Sequence, residues 1–68
     1  MTVELNGAAV ELSEGASVAD AVARLGAAAD RRGIAVAVDG EVVPRSAWSS
    51  TGLSDGQRIE IVGAVQGG

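Results

Sequence analysis

Apolar and polar positions alternate at the start of the chain. In Thr2-Val3-Glu4-Leu5 every second residue is apolar, the pattern of a strand with one buried face. Asn6-Gly7 suits a two-residue hairpin turn, and Ala9-Val10-Glu11-Leu12 then alternates again, with Val10 and Leu12 on the face of Val3 and Leu5. A β-hairpin is predicted. The period changes after Ser13-Glu14-Gly15-Ala16: Val18, Ala21, Val22 and Leu25 fall at i, i+3, i+4 and i+7, one stripe of an amphipathic helix. Ser17 stands where an N-cap belongs, Asp20 takes the place of the capping-box acid, and Gly26 is a natural C-terminal stop. This helix is expected to lie across the buried face of the hairpin. Residues 27–33 fit either a prolonged helix or a loop.

Ile34-Ala35-Val36-Ala37-Val38 is a continuous apolar run, β-branched at alternate positions, and suits a central strand. Asp39-Gly40 is a second hairpin-type turn into Glu41-Val42-Val43, which Pro44 ends because it has no N–H to give a ladder. Residues 45–51 read as a loop carrying a short turn. Within it Trp48, the only aromatic residue, can cover one end of the core or meet a partner, and the large apolar area of an indole favours the core. Leu53-Ser54-Asp55-Gly56 turns the chain once more. Arg58-Ile59-Glu60-Ile61-Val62 alternates, with Ile59 and Ile61 predicted inward. The order is ββαβββ, and the last strand can return to pair with the first. The predicted class is α+β, a mixed sheet of four to five strands with one main helix on one face. Residues 1–62 form the domain and residues 63–68 a C-terminal arm.

Composition narrows the chemistry. A chain of 68 residues is one domain and buries only about 60% of its unfolded surface, so its core must be efficient. Hydrophobic residues make up 47%, almost all aliphatic, which marks an ordered chain. Cysteine and histidine are absent, which removes disulfides, thiol catalysis, the common zinc sites and histidine acid–base chemistry. Lysine is absent too, so there is neither a Schiff-base amine nor a phosphate-loop lysine. The net charge of −4 disfavours nucleic-acid phosphates and suits a basic patch on a protein partner. Arg31 and Arg32 read as a solvated basic pair before they read as a docking site. Asp39, Glu41 and Asp55 are turn carboxylates, and no metal is assigned to them. No apolar run approaches a membrane span and no signal peptide is seen, so the expected location is cytoplasmic.

What remains is the end of the chain, Gly63-Ala64-Val65-Gln66-Gly67-Gly68. Extended, six residues span roughly 20 Å, enough to enter a partner's pocket. Glycine lacks Cβ and admits close approach of another backbone. The α-carboxylate of Gly68, with a pKa of roughly 3.5, is ionised at neutral pH and must be activated before any acyl chemistry. Gly68 is the expected reactive terminus, and Gly67, Gln66 and Val65 are the expected arm threaded into a partner channel. Val62 and Trp48 are the candidate partner surface; a purely structural role for Val62 stands equally.

The chain resembles the ThiS family, the sulfur carriers of thiamine biosynthesis with a ubiquitin-like β-grasp fold. The resemblance runs through Val3 to Asn6, the Val38-Asp39-Gly40-Glu41 turn, Val43-Pro44-Arg45 with Trp48, Leu53 with Asp55-Gly56, and Gly67-Gly68. Gln57 departs from the pattern, where a second acidic residue often follows the Asp-Gly turn. The resemblance implies a carrier and not an enzyme, with no cofactor of its own. An E1-like adenylyltransferase would use ATP and Mg²⁺ to convert the Gly68 carboxylate to an acyl-adenylate. Sulfur from a cysteine desulfurase or other persulfide donor would displace AMP and leave a thiocarboxylate, and thiazole synthase would accept that sulfur. The nearest alternative is the small subunit of molybdopterin synthase or a carrier for another sulfur metabolite. Protein conjugation through Gly68, or an interaction module that never uses its terminus, are alternatives of a different kind.

Overall fold

The structure, a computed structural model, describes residues 1–24 and 33–63. Its elements are β1 (Thr2–Leu5), β2 (Ala8–Glu11), α1 (Val18–Ala23), β3 (Ile34–Val38), β4 (Glu41–Val43), a 3₁₀ helix (Arg45–Ser50) and β5 (Arg58–Gly63). The ββαβββ order read from the sequence holds. The strands form one mixed sheet in the order β2-β1-β5-β3-β4. β5 is parallel to β1 and antiparallel to β3, while β2 and β4 are the antiparallel edges. β3 is interior as predicted, but the middle place belongs to β5.

Both hairpins turn where the sequence placed them, for a steric reason. Asn6 and Gly7 have φ of 51° and 86°, and Asp39 and Gly40 have 50° and 86°. Positive φ at both central residues gives the backbone twist that matches two flanking strands, and Asn, Asp and Gly tolerate it best. These turns fix the register, Val3 opposite Val10 and Val38 opposite Glu41. The first hairpin gains a further rung beyond its assigned strands, since Leu12 N–H donates to Met1 C=O at 2.8 Å.

The helix starts at a complete capping box: Ser17 N–H donates to Asp20 Oδ2 at 2.8 Å, and Asp20 N–H donates to Ser17 Oγ at 3.3 Å. Two backbone bonds fasten this start to the segment after the 3₁₀ helix, Val18 N–H to Thr51 C=O and Leu53 N–H to Ala16 C=O, each 2.9 Å. Val18, Ala21 and Val22 are buried against the sheet. The helix ends at Ala23 with Arg24 as C-cap; the remaining stripe position Leu25, the expected stop at Gly26, residues 27–32 and the Arg31–Arg32 pair lie outside the described residues.

Residues 45–51, read from the sequence as a loop carrying a short turn, hold the 3₁₀ helix. Pro44, at φ −64° and ψ 151°, enters it in extended geometry. Thr51 Oγ1 and Ser50 Oγ both donate to Ala47 C=O, at 2.7 and 3.2 Å, and close its end. Such a short helix has no room to display an apolar period, which is why the sequence pattern does not announce it. The core gathers Val3, Leu5, Leu12, Val18, Ala21, Val22, Val36, Trp48, Leu53, Ile59 and Ile61 from every layer. Ile59, at 0% exposure, is among its most enclosed side chains.

Truncation at that point leaves a void between sheet and helix. Ile59→Ala is expected to lower the unfolding free energy by about 2–5 kcal/mol, a large share of what a small domain possesses. The fall should appear as a reduced urea midpoint followed by Trp48 fluorescence; a midpoint unchanged from wild type would contradict the packing described.

Candidate functional site

Alternation along β5 sends Ile59 and Ile61 into the core and leaves Arg58, Glu60 and Val62 on the outer face. The register then decides what surrounds them. Val62 stands opposite Ala35, Glu60 opposite Ala37, and Ala37 opposite Val42 on the far side of β3. Val62, Ala35, Ala37 and Val42 therefore form an apolar band across β5, β3 and β4, with no helix on it among the described residues. Val42 and Val62 are its exposed ends, at 70% and 62%. For β-branched residues in a small domain this is a large exposure, and it makes the band a candidate surface for meeting another molecule.

The other half of the outer face is polar. Glu4 stands opposite Arg58, whose Nε lies 3.6 Å from Glu4 Oε2 in an exposed ion pair that contributes little to stability. Asp39 steadies the start of β5, its Oδ1 accepting from Arg58 N–H at 3.0 Å and its Oδ2 from Gln57 Nε2 at 3.3 Å. Gln57 Oε1 also accepts from Ser54 N–H at 2.7 Å. An acid at position 57 would turn a carboxylate toward that of Asp39, so the amide here replaces a repulsion with a hydrogen bond.

At the other end of β5, Asn6 reaches across from the first turn. Its Oδ1 accepts from Ile61 N–H at 2.8 Å and its Nδ2 donates to Ile61 C=O at 3.2 Å. β5 continues through Gly63, which stands opposite Ile34, so the strand runs one residue into the segment expected as an arm. Gly68, Gly67, Gln66 and Val65 lie outside the described residues. Val62, the candidate partner-surface residue of β5, is on the outer face as the alternation implied.

Trp48 is placed differently from a partner contact. It is 7% exposed, its ring is part of the core, and Nε1 donates to Val43 C=O at 2.9 Å. The Arg45 guanidinium lies 4.8 Å from the ring centroid, so a cation covers the indole where it approaches the surface. Val42 and the two alanines of β3 were not singled out as surface, although the signal was present. A two-residue turn at Asp39-Gly40 sets Val38 opposite Glu41 and thereby forces Val42 onto the face of Ala37.

Among the described residues, no group of three or more His, Cys, Asp or Glu could hold a metal ion. No helix among them is long and apolar enough to cross a membrane.

Comparison with known proteins bears on the whole chain. The ThiS family model matches residues 2–68. Among solved structures the fold is similar to a thiamine biosynthesis protein (ThiS) from Geobacter metallireducens, with a TM-score of 0.80, 27% identity, and 100% of each chain covered. The comparison with curated proteins gives no match. The mixed five-stranded sheet with its short helix is thus a β-grasp fold.

Because nothing among the described residues covers Val42 and Val62, these exposed ends of the band can be altered without unfolding the body. The double variant Val42→Thr/Val62→Thr is expected to change stability by no more than about 0.5 kcal/mol per site. Urea titration checks this, and a loss comparable to a core substitution would show that the band is structural.

Proposed function

The chain belongs to the ThiS family, and on that premise we propose that it is a sulfur carrier of thiamine biosynthesis whose working atom is the α-carboxyl carbon of Gly68. The observation that carries this reading is the family match over residues 2–68, which takes in Gly67-Gly68. The residue inventory supports it: a chain without cysteine, histidine or lysine has little side-chain chemistry to offer, so its catalytic groups are borrowed from partners.

The chemistry proceeds in separate steps. A carboxylate oxygen of Gly68 attacks the α-phosphorus of ATP, held with Mg²⁺ by an E1-like adenylyltransferase, and pyrophosphate leaves. The acyl-adenylate is now an electrophile with AMP as leaving group. The terminal sulfur of a persulfide, formed from cysteine by a desulfurase, makes the C–S bond as the C–O bond to AMP breaks. A second thiol cleaves the resulting acyl disulfide, is itself taken into a disulfide, and leaves the thiocarboxylate. On thiazole synthase that sulfur forms a bond to an electrophilic carbon of the acceptor. As its bond to the Gly68 carbonyl carbon breaks, an oxygen from water or from the acceptor's carbonyl takes its place and restores the carboxylate. Glycine at positions 67 and 68 suits each partner, because no Cβ obstructs approach to the carbonyl.

The body acts as the handle. The apolar band of Val62, Ala35, Ala37 and Val42 is the proposed docking face, and Glu60 and Glu4 beside it complement a basic rim on the partner. Val65 continues the contact along the arm, with Gln66 and Gly67 inside the partner's channel. Trp48 serves this face from within, as part of the core on which β4 rests.

Intact mass distinguishes the carrier from its rivals. With ATP, Mg²⁺, the cognate adenylyltransferase, a desulfurase and cysteine, the carrier gains the mass difference of one sulfur replacing one oxygen. An unchanged mass with competent partners indicates a passive interaction module, and covalent protein adducts indicate conjugation. Deleting Gly68 is expected to abolish loading with the urea midpoint unmoved; a truncated chain that still loads overturns the site.

A further inference from the structure

Asn6 does more for β5 than close a turn. Along the parallel pairing, Glu4 N–H donates to Gln57 C=O and Asn6 N–H to Ile59 C=O, both at 2.9 Å. The next residue in steps of two is Ile61. The main chain after Asn6 cannot reach it, because Asn6 and Gly7 take positive φ and lead away into β2. The Asn6 side chain supplies the missing rung, accepting from Ile61 N–H at 2.8 Å and donating to Ile61 C=O at 3.2 Å. A carboxamide is chemically a peptide group detached from the chain, with a carbonyl acceptor and N–H donors in one plane, and so can take the place of one. One residue thus fastens β5 at both Ile59 and Ile61.

The place of this rung gives it a consequence for the arm. Ile61 is the last inward-facing residue of β5 in the described chain, buried at the core edge, and Val62 and Gly63 follow it. On the β3 side these two stand opposite Ala35 and Ile34. On the β1 side the strand is held at Ile61 by Asn6. We propose that Asn6 is a positioning residue for the acyl chemistry at Gly68: it fixes the root of the arm relative to the apolar outer face on which the partner docks. This rests on the carrier reading above. With the root fixed, a partner that has seized the body finds the arm leaving at a set point and heading, and the local concentration of Gly68 at the partner's pocket is correspondingly high. With the rung lost, Val62 keeps its place opposite Ala35 on the docking face. The root beyond Ile61 is then held from the β3 side alone and loses its hold on the β1 flank.

Two substitutions separate this role from support of the turn. Asn6→Gly removes the carboxamide and suits the positive φ, so the turn is kept. Asn6→Asp also suits that φ and keeps an acceptor for Ile61 N–H, but at neutral pH it lacks the donor for Ile61 C=O. Native-state amide exchange is read at Ile61 and Ile59, together with the kinetics of adenylation by the cognate adenylyltransferase with ATP. In Asn6→Gly, Ile61 exchange is expected to rise about tenfold, the worth of a hydrogen bond, with Ile59 little changed. Asn6→Asp should fall between the two. In Asn6→Gly, kcat is expected to drop about tenfold with KM within about twofold, because docking survives and presentation does not. Unchanged Ile61 exchange, or a rise in KM at constant kcat, overturns the inference. A wild-type chain that a competent adenylyltransferase does not charge sinks the carrier reading instead, an outcome distinct from either variant result.

Discussion

β5 lies between a parallel neighbour and an antiparallel one, and the other elements are arranged around that position. A strand in the middle of a sheet has both rows of backbone groups to satisfy. β3 meets one row over its full length, from Ile34 opposite Gly63 to Val38 opposite Ile59. β1 meets the other only at Glu4 and Leu5, and the Asn6 side chain extends that short pairing to Ile61. Inward, Ile59 and Ile61 anchor the strand in the aliphatic core under α1 and the 3₁₀ helix. The strand that leads to residues 64–68 is therefore held from both flanks and from beneath.

The same strand divides the two surfaces of the sheet. Its inward residues belong to a core that a 68-residue chain can barely afford to loosen, whereas its outward residues pass from charged to apolar, from Arg58 through Glu60 to Val62. The apolar end is the C-terminal end of the strand, and β3 and β4 extend it with Ala35, Ala37 and Val42. A partner that covers this band gains buried apolar area beside Gly63, where the described chain ends.

Much of this is legible in the residues. Alternation at Val3, Leu5, Val10 and Leu12 and the Asn-Gly and Asp-Gly turns carry the hairpins, because sterics leave those dipeptides few other conformations. Ser17 and Asp20 announce the helix start through a local exchange of hydrogen bonds. The 3₁₀ helix at Arg45–Ser50 shows in the sequence only as a short turn within a loop, since six residues organised by Pro44 and by the burial of Trp48 display no period. Trp48 follows the core reading that the large area of its indole favours: the fold places its ring inside, with Arg45 above it. Asn6 shows a limit. Its turn is written in the sequence, but its bonds to Ile61 join positions 55 residues apart and depend on where β5 returns. The candidate arm was read from residue types alone, Gly67 and Gly68 having no side chains to obstruct a partner.

The account separates recognition from reaction: a folded body to be gripped, and a main-chain carbon to be loaded. Fragmentation of the intact sulfur-loaded protein in the mass spectrometer tests that separation most directly, by locating the exchanged atom. The account predicts that only fragments containing Gly68 carry the sulfur-for-oxygen mass difference. Sulfur found on a fragment that ends before Gly68 would contradict it.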